Sequence, residues 1–260
     1  MPMARVLSLA FGAAFAACAT IAGPTGVLAQ PLSVEPRCEV PAALLSDPAE
    51  FPNAARHVGK GNHLTIVALG AASTEGTGAS SPQTAWPMRL QEALVLRLPG
   101  TAVKVVNLGK RGSTAQQMLQ RFNAEVVPAK PAIVIWEVGT VEAVRATDTE
   151  ELHAALMEGM DQIEAMHADL ILMDPQYARS TDLVINFQPY LQVIRQTADL
   201  PEVTLFPRHD IMRYWVEEGR IAPTTREEMV KGNDALYDCV AQLLAEVIDH
   251  GLSAAAHAAR

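Results

Sequence analysis

His63–Gly78 reads HLTIVALGAASTEGTG. Leu64–Leu69 is an apolar, β-branched run of strand length, the signature of a strand buried on both faces. Behind it comes a turn of small residues, and behind the turn Trp86–Leu98 repeats apolar residues at Leu90, Leu94 and Leu98, a helix that Pro99-Gly100 stops. A buried strand, a tight turn and a helix form the opening unit of a parallel α/β sheet. A nucleophile often sits in such a turn, and Ser73 and Thr74 are the hydroxyls it contains.

The same alternation continues outward. Val103–Leu108 reads as the second strand, Ala115–Val127 as a helix and Ala132–Val138 (AIVIWEV) as the third strand. Thr149–His167 carries Leu152, Leu156, Gly159, Ile163 and Met166 on one face, with Asp148 placed to cap it. Leu170–Met173 is the fourth strand. A helix over Leu183–Thr197 follows, with a kink expected at Pro189. Val203–Phe206 is the fifth strand, and Asp210–Glu218 and Ala235–His250 are the last helices. No linker, repeat or low-complexity break divides residues 60–250. The expected fold is α/β: one domain, a three-layer sandwich with a five-stranded parallel sheet and helices on both faces. Ligands in such folds sit beyond the carboxyl ends of the strands, so GAASTEG, GKRGST and GTVEA are the segments to examine.

The ends of the chain read differently. Residues 1–29 have one basic residue, Arg5, then a small apolar run and Val27-Leu28-Ala29, a small-x-small cleavage pattern. This reads as a signal peptide, and the expected location is exported, periplasmic or secreted. Gly12, Gly23 and Pro24 make the run poor as a membrane helix, and lipid attachment at Cys18 is the minor alternative. Residues 30–62 read as an N-terminal arm with at most a short helix at Pro41–Leu45, and 251–260 as a flexible, low-complexity tail. Without residues 1–29, two cysteines remain, Cys38 and Cys239. In an oxidising compartment an even pair suggests one disulfide, with two separate buried thiols the alternative.

Charge narrows the partners. The whole chain has 20 Lys+Arg against 29 Asp+Glu, a formal charge of −9. Losing Arg5 leaves 19 against 29, or −10. An acidic chain without a basic run is a poor partner for nucleic acid or an anionic membrane. The glycines Gly70, Gly76 and Gly78 do not have dinucleotide-fingerprint spacing. His57, His63, His153, His167, His250 and His257 show no ligand spacing and no Cys–His cluster exists. No metal and no cofactor are expected.

The strand-end segments, together with a block before the last helix, resemble the SGNH (GDSL-type) hydrolase family over nearly all of the mature chain. The resemblance implies a flavodoxin-like SGNH hydrolase fold and serine ester hydrolysis. The family's first block, Gly-Asp-Ser-x-Thr, falls on Gly70-Ala71-Ala72-Ser73-Thr74 and so puts Ala72 at the nucleophile. Asn107-Leu108-Gly109-Lys110-Arg111-Gly112 matches the second block, with Gly112 as the backbone oxyanion donor. Gly139-Thr140-Val141 matches Gly-x-Asn but has Val141 where the amide belongs. Counting back from Asn233-Asp234-Ala235-Leu236-Tyr237 puts Lys231 at the histidine and Glu228 at the aspartate of Asp-x-x-His.

A serine esterase needs a hydroxyl, a neutral base and a carboxylate that orients the base. Ala72 has no nucleophilic atom, a lysine amine is protonated near neutral pH, and Val141 donates no hydrogen bond. Losing one oxyanion donor costs about 2.7–4 kcal/mol of transition-state stabilisation. The expectation is a pseudoenzyme with a degenerate site that binds a small molecule, glycan, lipid or protein. Rearranged ester hydrolysis by Ser73 with Lys231 as base is the alternative. The bland reading of Ser73 is a bond to its own turn. That of His209-Asp210 is a turn with Asp210 near a helix N-cap, and that of Lys110-Arg111 is a solvated pair. Asp174–Tyr177 reads as a loop after strand four. Glu228 and Lys231, three residues apart, are expected to neutralise each other.

Overall fold

The strand encoded by the opening run, β1 (His63–Gly70), has a neighbour on each side in a five-stranded sheet. The structure is a computed structural model and describes residues 35–45, 50–221 and 226–258. The other strands are β2 (Ala102–Gly109), β3 (Ile133–Glu137), β4 (Asp169–Met173) and β5 (Val203–Phe206). Their order is β2-β1-β3-β4-β5, and every pair is parallel. Each strand falls within a residue or so of its expected bounds, because β-branched apolar runs between polar turns carry a strong local signal.

Alternate strand residues feed two cores, as the two-residue repeat of a strand requires. Leu64, Ile66 and Ala68 of β1, with Ile133 and Ile135 of β3, pack on one face. The helices there are α1 (Pro52–Gly61), α3 (Trp86–Arg97), α9 (Arg208–Glu217) and α10 (Arg226–Ala258). Val67 and Leu69, with Val134 and Trp136, pack on the other. That face is covered by α4 (Ala115–Leu119), α6 (Thr149–Ala165) and α8 (Gln188–Ala198). Three short helices lie at strand ends: α2 (Ala72–Glu75), α5 (Thr140–Arg145) and α7 (Arg179–Asp182). The layers are helix, sheet, helix, as expected.

Four elements differ from the sequence reading. The arm contains a full helix, α1, which starts at Pro52 and ends at a left-handed Asn62. Its buried Ala54 and the backbone of Asn53 are fastened to Asp169, through N–H bonds to the carboxylate of 2.8 and 3.2 Å. The helix expected over Ala115–Val127 stops at Leu119 and continues as a wide π-type turn, Phe122–Val126. Pro189 does not kink α8; it occupies the first turn, where a missing N–H costs nothing. The last helix runs to Ala258, with Leu252 and Ala255 buried, so residues 251–258 are helical rather than a loose tail.

The pair Cys38–Cys239 is a disulfide joining the N-terminal segment to α10. Among the described residues no helix is long and apolar enough to cross a membrane. The signal-peptide residues and Cys18 lie outside the described residues.

Candidate functional site

The candidate site forms where β1, β2 and β3 end. The register sets Gly70 opposite Gly109, so the turn after β1 lies beside the turn after β2. The approach is closer than any side chain at residue 109 allows: a Cβ there would sit 2.1 Å from the Glu75 backbone nitrogen. Asn107 locks the two turns, donating to the Thr74 carbonyl at 2.7 Å and accepting from the Gly109 N–H at 2.9 Å. Lys110 N–H donates to the Gly70 carbonyl at 3.0 Å.

The third segment is tied in by Glu142. Its buried carboxylate accepts the Ala115 N–H at 2.5 Å and the Gly139 N–H at 3.0 Å, spanning the starts of α4 and α5. Burial pushes this carboxyl up, against the pull of those backbone donors. Arg145 donates to the Gly112 carbonyl at 2.8 Å, and Gly112 has φ +76°, which favours glycine. Three of the positions the resemblance singles out therefore share one end of the sheet. Ala72 is half-buried in the first turn of α2, Gly112 lies in the turn after β2, and Val141 is half-buried in α5. Glu228 and Lys231 fall in the opening turns of α10, and their side chains, with the expected mutual neutralisation, lie outside the described residues.

Ser73 does not bond its own turn. It is 4% exposed, and its Oγ accepts from Arg208 Nη1 at 3.0 Å. Arg208, at the start of α9, also donates from Nη2 to Glu137 Oε1 at 2.9 Å and from Nε to the Asp174 carbonyl at 3.2 Å. Thr74 Oγ1 donates to the second oxygen of Glu137. Burial raises the Glu137 carboxyl, but the Arg208 charge and the Thr74 and Arg208 hydrogen bonds outweigh it, so the group lies below its ordinary value. The result is a buried, hydrogen-bonded ion pair linking α2, the end of β3 and the start of α9.

His209 sits beside this pair, within α9 rather than in a turn before it. Its backbone N–H donates to Asp174 Oδ1 at 2.7 Å, and its Nε2 lies 3.2 Å from Asp182 Oδ1. The ring is edge-on to Tyr177 at 5.3 Å between centroids. Nδ1 is buried without a hydrogen bond, 3.6 Å from Asp210 Oδ1. Burial lowers the imidazole, Asp210 and Asp182 raise it, and the balance is upward. Burial pushes the Asp174 carboxyl up to about 7, although the His209 N–H and the Arg208 charge pull it down. Asp210 lies in the first turn of α9 and pairs with Arg195 at 2.7 Å.

Sequence reasoning passed over Glu137 and Arg208. The signal was the single carboxylate in AIVIWEV: a buried strand end carrying a charge needs a cation. Two cavities flank this architecture. The larger, about 880 Å³, opens at the N-terminal ends of β4 and β5, by Asn53, Asp169 and Arg195, and no family block reaches it. The smaller, about 120 Å³, lies at the strand ends beside Arg208 and Tyr237. Its position among the blocks makes it the one relevant to the site, whatever its size. Among the described residues no group of three or more His, Cys, Asp or Glu is placed to hold a metal ion.

The model of the non-GDSL lipase-like family matches residues 37–254. The chain belongs to that family. No curated protein matches the chain. Solved structures place this non-GDSL lipase-like chain among SGNH-type esterase folds. TesA aligns with a TM-score of 0.56 at 19% identity, over 70% of this chain and 99% of its own. A catalytic mutant of Axe2, an acetylxylan esterase from Geobacillus stearothermophilus, gives 0.51 at 18% identity, covering 68% and 94%. A two-domain esterase, CEX, active on acetylated mannans, gives 0.59 at 16%, covering 78% of this chain and 55% of that one. At these identities the likeness establishes the fold of the family member, a parallel SGNH hydrolase sandwich.

Proposed function

We propose that this chain is an exported SGNH-fold protein that has kept the cleft of an ester hydrolase for binding and no longer hydrolyses esters, a pseudoenzyme. One observation carries the reading. The residue at the nucleophile position is Ala72, and the adjacent hydroxyl, Ser73, is 4% exposed and engaged by Arg208. A serine held by a guanidinium paired to a carboxylate has no imidazole to take its proton. The same contact argues against a Ser73–Lys231 dyad. Val141 and Lys231, at the positions of the oxyanion amide and the base, support the same conclusion. The disulfide Cys38–Cys239 and the leader-like residues 1–29 support export.

Glycans are the first ligands to screen, since two of the similar folds come from esterases acting on acetylated xylan and mannans. The test is hydrolysis of 4-nitrophenyl acetate by purified mature protein. The expected rate equals the buffer background and does not change in Ser73→Ala. Turnover that disappears in soluble, folded Ser73→Ala would overturn the proposal in favour of the rearranged esterase.

A further inference from the structure

The turn between α1 and β1 brings together two histidines that their spacing in sequence does not. α1 ends at Gly61, and the left-handed Asn62, with φ 49°, turns the chain into His63, the first residue of β1. The His63 ring folds back over Gly61: a Cβ on residue 61 would lie 2.5 Å from its Nδ1. The absence of a side chain there lets the ring reach the helix. His63 Nε2 then faces His57 Nδ1 at 3.4 Å, with 88° between the ring planes and 5.4 Å between centroids. His63 is exposed and His57 half-buried, and the contact itself is exposed. The pair sits at the N-terminal end of β1. The Ala72–Gly112–Val141 positions lie beyond the other end, about 23 Å along the strand.

A hydrogen bond accounts poorly for this spacing. An N–H donor ordinarily stands about 2.7–3.2 Å from an oxygen acceptor, and water offers each exposed imidazole such a partner. The separation matches instead two ligands on one tetrahedral ion. With each nitrogen about 2.0–2.1 Å from zinc and a tetrahedral angle between them, the nitrogens stand about 3.3–3.4 Å apart. We propose that His57 Nδ1 and His63 Nε2 form a two-histidine site for a divalent transition-metal ion of the zinc type, with water in its remaining positions. Neutral imidazole is the ligand such an ion prefers. Each ring then carries its proton on the other nitrogen, His57 Nε2 and His63 Nδ1. Among the described residues no third His, Cys, Asp or Glu joins the pair, and Lys60 lies three residues from His57. A structural zinc site has four protein ligands, so two ligands beside a cation make an exchangeable site. The bound ion ties the end of α1 to the start of β1 and so stabilises the folded chain by mass action.

The test is a calorimetric titration of untagged mature protein with zinc chloride, with magnesium chloride as the control that imidazole does not favour. One saturable site is expected with zinc and none with magnesium. His57→Ala and His63→Ala should each weaken zinc about 100-fold, because a second ligand already held in place is worth roughly 10²–10⁴ over a single one. Neither histidine belongs to the core, so both variants should melt with wild type in EDTA, and wild type alone should gain Tm with zinc. Gly61→Ala keeps both ligands but displaces the His63 ring, and should lose part of the affinity. His153→Ala, exposed on α6, should lose none. A flat zinc isotherm, or one that either His57→Ala or His63→Ala leaves unchanged, would overturn the site. Ester hydrolysis belongs to the far end of the sheet, so the result stands whatever 4-nitrophenyl acetate shows.

Discussion

Arg208 and Glu137 are each about 1% exposed and lie 71 positions apart, and each supplies the charge that compensates the other's burial. Removing one partner leaves an uncompensated buried charge, while removing both leaves a space that apolar side chains can fill. Arg208→Met should therefore lose about 3–5 kcal/mol in urea unfolding, and Arg208→Met with Glu137→Leu should recover most of it. A double variant no more stable than the single one would mean the pair is not the source of the loss. Asp174 behaves oppositely to Glu137 with pH. Its folded carboxyl sits near 7 against an ordinary 3.8, so its contribution is complete below about 3.8 and is lost as pH rises through about 7. Glu137, held below its ordinary value, contributes above that value and loses the contribution as acid protonates it. Asp174→Asn keeps an oxygen for the His209 N–H and removes the titration. The variant should match wild type near pH 4 and gain on it by a few kcal/mol, roughly, by pH 8. Urea midpoints of both proteins from pH 4 to 8 check this, and a constant gap would refute it.

At the scale of elements, Gly159 shows how closely α6 is seated. A Cβ there would lie 2.2 Å from the Trp136 ring, with Leu119 of α4 at 3.1 Å. Trp136 is fully buried and cannot swing out, so Gly159→Ala must push α6 off the sheet. The expected loss is about 1–3 kcal/mol, against the small gain a helix normally makes from alanine. Thermal unfolding decides: a rise in Tm would show that the helix moves freely. The face carrying Gly159 was legible in the sequence, because Leu152, Leu156 and Ile163 recur at helical spacing. So were all five strands. The elements misjudged are those whose signal is not local. α1 sits among Pro, Gly and Asn and is stabilised by Asp169, 115 residues away from Ala54. The helix after β2 breaks at Gln120 although its residues are good helix formers, and Arg121 there reaches back to the Leu108 carbonyl at 2.8 Å. The site divides in the same way. Ala72, Gly112 and Val141 could be found from block order, whereas Arg208 and Glu137 show only when distant segments are brought together.

At the scale of the whole molecule, the SGNH-type fold is complete. The sheet order is complete, the turns after β1 and β2 touch, and Glu142 joins the segments after β2 and β3. If the proposed loss of catalysis resides in side chains alone, restoring them should restore activity. Ala72→Ser alone supplies a hydroxyl with no base and should stay at background with 4-nitrophenyl acetate. Adding Lys231→His supplies the base, worth about 10²–10⁴-fold when positioned. Adding Val141→Asn supplies an oxyanion donor, worth about 10²–10³-fold. Because these groups act as a unit, the gain should appear steeply in the triple variant and hardly at all in any single one. Arg208 and Ser73 stay untouched, so the buried ion pair that seats α2 is preserved throughout. A triple variant that folds with wild-type stability and remains at background would show that side chains alone do not account for the proposed loss.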